Sequence, residues 1–136
     1  MILFLDTQLD AIFRPRSIAV IGASRQRGTI AAEVFHNLIE HGFSGPVYPV
    51  NPSASSVQSV RAYKSVLEIP EEVDLAVVVV PGRHVLEVAE ECAKKGVRGL
   101  VVLSAGFAEV GSDGRALQEK LLGCVRGAKM RMVGPN

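Results

Sequence analysis

The sequence predicts an α/β fold: a Rossmann-like, doubly wound, mainly parallel sheet of about five strands with helices on both faces. Three observations carry that prediction. Short β-branched runs alternate strictly with segments of helical periodicity along the 136 residues. The run Leu75-Ala76-Val77-Val78-Val79-Val80, entered from Asp74, is continuously apolar, as strands buried on both faces of a parallel sheet are. Each run also ends in a small, polar or Gly/Pro-rich loop, where a strand hands over to a crossover.

Asp6 or Thr7 can cap a short helix that ends at Arg14-Pro15, because the proline ring disfavours helix at the residue before it. Ser17 to Ile21 forms the first strand. From Gly28 onward Ile30, Val34, Phe35, Leu38 and Ile39 recur at helical spacing, and Gly42 stops the run. Pro46-Val47-Tyr48-Pro49-Val50 is the second strand, and its two prolines argue for an end or edge exposure of part of it. Asn51 to Ser56 breaks all periodicity, and residues 57 to 72 read as irregular apart from a short helix over Ser65 to Ile69. Asp74 to Val80 is the third strand. Val85, Val88, Ala89 and Cys92 mark one face of the next helix, which Gly96 terminates. Leu100 to Leu103 is the fourth strand and runs into Ser104-Ala105-Gly106-Phe107. Ser112 or Asp113 caps the last helix, with Leu117, Leu121, Leu122 and Val125 as its face. Met130 to Val133 is the fifth strand, followed by Gly134-Pro135-Asn136.

The length suits one domain spanning residues 1–136. Fifteen basic and 14 acidic residues leave a formal charge of +1, so no global basic field invites nucleic acid and any anion site must be local. Cys92 and Cys124 lack metal-ligand or redox spacing and read as buried free thiols; no metal site is expected. Met1 to Leu5 is apolar, but Asp6 and Asp10 follow, with no basic region or cleavage site of a signal peptide. No apolar run approaches the ~20 residues of a membrane helix. A cytoplasmic protein without a membrane partner is the expectation.

Doubly wound sheets bind ligands beyond the carboxyl ends of their strands. That places Gly22 to Gly28, Asn51 to Ser53, Pro81-Gly82, Ser104 to Phe107 and Gly134 to Asn136 on one face. The first of these loops, Gly22-Ala23-Ser24-Arg25-Gln26-Arg27-Gly28, joins a strand to a helix N-terminus, where backbone N–H groups and partial positive charge suit a phosphate. It is not the dinucleotide fingerprint. Ser24 stands where a second glycine would be, the last glycine comes one residue late, and the second strand ends in Val50-Asn51-Pro52 with no acid for ribose hydroxyls. No Gly-Lys-Ser/Thr follows Gly28, so there is no P-loop. Arg25 and Arg27 are either solvated loop charges or contacts for a ligand richer in phosphate than a plain pyrophosphate.

The run Phe13-Arg14-Pro15-Arg16-Ser17-Ile18-Ala19-Val20-Ile21-Gly22-Ala23-Ser24 resembles the opening of the CoA-binding domain of NDP-forming acyl-CoA synthetases, a domain related to the α-subunit of succinyl-CoA synthetase. The likeness continues through Tyr48 to Pro52, Val73 to Pro81, Ser104 to Glu109 and Met132 to Asn136, in the same order and spacing. The resemblance implies that Gly22 to Gly28 receives the CoA phosphates, with Ser24, Gln26 and the backbone as donors and Arg25 or Arg27 near the 3′-phosphate. It places Val50, Asn51 and Pro52 on one side of the adenosine and Val80 and Pro81 on the other. Ser104, Ala105 and Gly106 lie toward the thiol end. Many relatives carry a lysine after the Asn-Pro pair, where this chain has Ser53.

In the synthetases a phosphorylated histidine carries phosphate to a nucleotide-binding domain. His36, His41 and His84 match no such position, so no catalytic residue is expected here. The resemblance therefore implies a fragment of a larger ligase, which also contains a second flavodoxin-like domain and an ATP-grasp domain, and which binds CoA without catalysis in isolation. The alternatives are a CoA-sensing module of a protein acetyltransferase and an NAD(H)-responsive Rossmann module.

Overall fold

The computed structural model describes residues 8–135; Met1 to Leu5, Asp6, Thr7 and Asn136 lie outside the described residues. Helix α1 (Asp10–Phe13), strand β1 (Ile18–Ile21), helix α2 (Ile30–Glu40) and strand β2 (Val47–Val50) come first. A hairpin of β3 (Ser56–Val57) and β4 (Val60–Arg61) follows, then β5 (Leu75–Val78), α3 (Gly82–Lys95), β6 (Gly99–Val102), α4 (Ser112–Gly127) and β7 (Arg131–Val133). Five strands form a parallel sheet in the order β2-β1-β5-β6-β7. This is the 2-1-3-4-5 order of a doubly wound sheet, with its reversal between β1 and β5.

Side-chain alternation distributes the core between two layers. Ala19, Ile21, Ala76, Val78, Leu100 and Val102 pack with Val85, Ala89 and Cys92 of α3 and Leu121 and Val125 of α4. Ile18, Val20, Leu75 and Val77 point the other way, to Phe35 of α2 and Val57 of the hairpin. A slip of one residue in any strand would exchange the two sets, so burial on both faces pins the register. β2 is an edge strand of this sheet, as its prolines require, and the carbonyl of Pro49 accepts from Tyr63 N at 3.0 Å on the outer side.

Several elements differ from expectation. α1 begins at Asp10 with Leu9 at its N-cap position and no side-chain cap bond; the candidate caps Asp6 and Thr7 lie outside the described residues. In α2 the buried residues are Ala31, Ala32 and Phe35, while Ile30 is 65% exposed. Two small alanines bring the helix close to the sheet, and the 100° step between neighbours turns Ile30 outward. Residues 57 to 72 are less irregular than they read. Gln58 and Ser59 both take positive φ, a two-residue hairpin turn without the Asn-Gly signature that would betray it. The Ser65 to Ile69 helix is a 3₁₀ turn over Val66–Glu68, capped by Ser65 as its sequence suggests. α4 is entered through Gly111 with no side-chain cap bond; Ser112 and Asp113 are already inside its first turn. β5 stops two residues early, at Val78, for a reason that belongs to the site.

At the opposite end of the sheet Asp74, 6% exposed, accepts from Arg16 N at 2.8 Å, from Arg16 Nε at 3.3 Å and from Arg98 at 3.2 Å. Ser17 Oγ accepts from Asp74 N at 3.0 Å and donates to Glu72 O at 2.9 Å. The starts of β1 and β5 are thereby locked together. Cys92 is buried and Cys124 half-buried, both as free thiols; burial, with the Glu91 charge nearby, pushes the Cys92 thiol up to about 12, which leaves it unreactive. Among the described residues no helix is long and apolar enough to cross a membrane, and no His, Cys, Asp and Glu side chains are grouped to hold a metal ion.

Candidate functional site

The sheet register brings four loops together. Ile21 is level with both Val50 and Val78, and Val78 with Val102, so the loops after β1, β2, β5 and β6 emerge side by side across the reversal of strand order. At Gly22, φ +97°, the backbone turns sharply, and the N–H groups of Gly22 and Ala23 both donate to Val50 O, at 3.0 and 3.2 Å. The Gly22 and Ala23 N–H groups are thus spent on β2, while Gly22 stays packed close against Val79. Val79 N still reaches Ile21 O at 2.8 Å, but the ladder cannot continue, so β5 ends and its last apolar residues become a wall.

A cavity of about 410 Å³ opens there. Ile21, Gly22, Val50, Pro52, Val79, Val80 and Pro81 line one part, and Lys64, Ser65, His84, Glu87, Val88 and Glu91 the other. Of the residues expected at the site, Gly22, Val50, Pro52, Val80 and Pro81 line this space directly. Ala23, Ser24, Arg25, Gln26, Arg27 and Gly28 form the adjoining loop into α2. Ser104, Ala105 and Gly106 belong to the next loop along the sheet.

Asn51 has a different part from that expected of a ligand contact. Its Nδ2 donates to Ala23 O at 2.8 Å, while its Oδ1 accepts from Ser53 N at 2.8 Å and Ala54 N at 3.0 Å. The side chain ties the loop after β2 to the loop after β1. Asn51→Ala is expected to cost about 1–2 kcal/mol, because three bonds are lost at a half-buried position. Thermal unfolding checks this; an unchanged midpoint would show that the loops hold each other without it.

The phosphate-type loop is internally bonded. Ser24 Oγ accepts from Gln26 N at 3.0 Å, and Thr29 caps α2 by accepting from Ala32 N at 3.3 Å. Arg27 grips Glu33 with both arms of its guanidinium, Nε to Oε1 at 2.9 Å and the terminal nitrogen to Oε2 at 3.2 Å, and Gly28 N donates to the same Oε1 at 3.0 Å. The guanidinium, then the Gly28 N–H, hold the Glu33 carboxyl at about 2. Arg25 and Arg27, equivalent in sequence, therefore differ: Arg27 is held in an ion pair, and Arg25 is exposed to solvent.

The loop after β6 has a set shape too. Ser104, 7% exposed, donates from Oγ to Val80 O, joining it to the end of β5. The Glu109 carboxylate accepts from the N–H groups of Gly106, of its own residue and of Phe107, which holds it below the usual carboxylate range.

Sequence reading missed Lys64, Ser65, His84, Glu87 and Glu91 as cavity residues. Ser65 caps the 3₁₀ turn at Leu67 N, 3.1 Å, and donates to Glu91 Oε2 at 3.0 Å. A signal was available for part of the set. His84, Glu87, Val88 and Glu91 recur at helical spacing directly after Pro81, so a ligand beside Pro81 would face that stripe. Lys64 carried no such signal, because its approach depends on the hairpin.

A protein-family model described as a CoA binding domain matches residues 16–136. The chain belongs to the CoA-binding domain family. Its ligand is accordingly coenzyme A, and the dinucleotide reading is set aside. The domain is 46% identical over 132 residues to the alpha subunit of acetate–CoA ligase (ADP-forming) I from Pyrococcus furiosus, covering 94% of this chain and 29% of that protein. A crystal structure from Pyrococcus horikoshii OT3 superimposes with a TM-score of 0.90 at 47% identity, over 94% of this chain and 29% of that one. The apo form of a dinucleotide-forming acetyl-coenzyme A synthetase 1 from Ca. Korarchaeum cryptofilum gives a TM-score of 0.89 at 41% identity, over 94% and 28%. The CoA-binding domain thus spans under a third of the length of each of these relatives.

Proposed function

We propose that this chain is the CoA-binding part of an ADP-forming acyl-CoA synthetase, acting in the cytoplasm, and that it holds CoA across the carboxyl ends of β1, β2 and β5. The 410 Å³ cavity carries the reading: apolar walls of valine and proline suit a flat purine, and a helix N-terminus with arginines adjoins them. In this reading Val50 and Pro52 face Val80 and Pro81 across the adenine, and the loop of Gly22, Ala23, Ser24, Arg25, Gln26, Arg27 and Gly28 takes the phosphates. The N–H groups of Gly22, Ala23, Gln26 and Gly28 are already bonded within the protein and Arg27 is paired with Glu33, so the exposed Arg25 and the Ser24 hydroxyl carry more of that contact, with Arg27 joining once its pair opens. Lys64 at the cavity supplies a cation that Ser53 cannot. The pantetheine arm runs toward Ser104, Ala105 and Gly106.

The chain binds and orients CoA, and acyl and phosphoryl transfer belong to the rest of the synthetase, a second flavodoxin-like domain and an ATP-grasp domain. An apolar groove of about 310 Å³ lined by Ile30, Val101, Leu103 and Val133 beside β7, with Val133 51% exposed, is a suitable seat for it. That this chain covers only 29% of the acetate–CoA ligase alpha subunit it matches supports the presence of such further parts.

Calorimetric titration with CoA and with 3′-dephospho-CoA tests the proposal. CoA is expected to bind about ten- to a hundredfold more tightly, since a charge-assisted contact is worth about 1.5–3 kcal/mol. Negligible heats with both ligands would overturn it.

A further inference from the structure

We propose that Glu33 is a built-in competitor for the CoA phosphates, occupying donors of the phosphate loop until a ligand displaces it. The inference rests on the CoA reading of the site. A carboxylate and a phosphate seek the same partners: a planar guanidinium, free backbone N–H groups and the positive end of a helix. Glu33 has all three. It lies in the first turn of α2, it takes both arms of Arg27, and it accepts from Gly28 N. An anion arriving over this turn meets a like charge and an arginine already engaged.

The pair is placed to exchange. The Arg27 side chain is 55% and the Glu33 side chain 40% exposed, so opening the pair returns both groups to water rather than stranding a buried charge. Thr29 keeps the helix start capped whether or not Glu33 is engaged, through its bond from Ala32 N. Releasing Glu33 therefore frees one guanidinium and one N–H for a phosphate ester without unwinding the helix. The competition lowers affinity in return for a phosphate loop that stays satisfied without ligand and lets product leave.

The test compares wild-type chain with Glu33→Gln by calorimetric titration against CoA, 3′-dephospho-CoA and pantetheine, which lacks phosphate. Glutamine keeps an acceptor for Gly28 N and removes the negative charge. The expected result is CoA affinity about three- to tenfold higher in the variant, with no gain for pantetheine and none when Arg27→Ala is added. The 3′-dephospho-CoA arm names the group: a retained gain assigns the competition to the pyrophosphate, a lost one to the 3′-phosphate. Wild-type binding of CoA with an equal or weaker Glu33→Gln overturns the competitor and leaves the site reading standing. No CoA binding by wild type overturns both. A thermal midpoint close to wild type confirms that the variant is folded.

Discussion

Gly22→Ala is expected to lower stability by about 3 kcal/mol, a fall in melting temperature on the order of 10 °C for a domain of this size. Two costs add. At φ +97° an alanine occupies a region that L-residues avoid, costing about 1–2 kcal/mol. Its Cβ would also meet Val79 O at 2.7 Å, Val79 C at 2.9 Å and Val80 Cγ1 at 3.1 Å. The first two are backbone atoms of the residue just past the end of β5, so relief requires the segments after β1 and β5 to part at the cavity floor. CoA affinity is expected to fall with stability, because Gly22, Val79 and Val80 all line the cavity. Gly28→Ala is the control: at φ +91° it carries the conformational cost, but no atom lies within 4 Å of its Cβ. Thermal unfolding of the two variants separates the terms, and equal losses would show that the contact with Val79 is relieved at no cost.

Asp74→Ala is expected to cost about 2–4 kcal/mol at neutral pH, since it strips a buried acceptor from Arg16 N, Arg16 Nε and Arg98. The pH dependence follows from the balance at this carboxyl. Burial raises its pKa, but the Arg16 N–H and the guanidinium groups of Arg16 and Arg98 outweigh it and leave the group below its ordinary value. A carboxyl depressed in the folded state contributes stability that is fully present above the unfolded value, about 3.9, and is lost as pH falls through the lower folded value. Wild type is therefore expected to lose stability steeply below about pH 4, and Asp74→Ala to lose less over the same window. Urea unfolding at pH 7 and pH 3 checks both statements. The same difference between variant and wild type at both values would place the acid sensitivity elsewhere, with Glu33 and Glu109 the other depressed carboxyls.

The apolar run from Leu75 to Val80 is two residues longer than the strand it makes. Read as periodicity it is all strand; in the fold Val79 and Val80 leave the ladder where the Gly22 and Ala23 N–H groups turn to Val50 O, and they wall the cavity instead. Hydrophobicity is common to a buried strand and an apolar ligand site, so pattern alone cannot divide the run. The hairpin at Gln58-Ser59 was hidden for another reason. Its turn needs positive φ at two residues whose chemistry does not favour it, and Val57 buried against the core meets that cost.

Legibility of the site followed the same line. Gly22, Val50, Pro52, Val80 and Pro81 were readable because each ends or follows a strand, and parallel strands in register end together. Asn51 was readable as a site residue, though its three bonds run to backbone of its own and the neighbouring loop.

The sequence by itself determined the alternation of strands and helices, the two-layer core and the face on which the strand-end loops gather, and it narrowed β2 to an end or edge exposure. These rest on periodicity, proline and glycine chemistry and the direction of a helix dipole, which act between residues a few positions apart. Only the tertiary structure decided that Arg27 is held by Glu33 while Arg25 is exposed, that Lys64 and Glu91 reach the cavity, and that Asp74 locks the starts of β1 and β5. Such pairings depend on the angle of a loop or the stacking of a helix on a sheet, and those are set by how the whole chain packs.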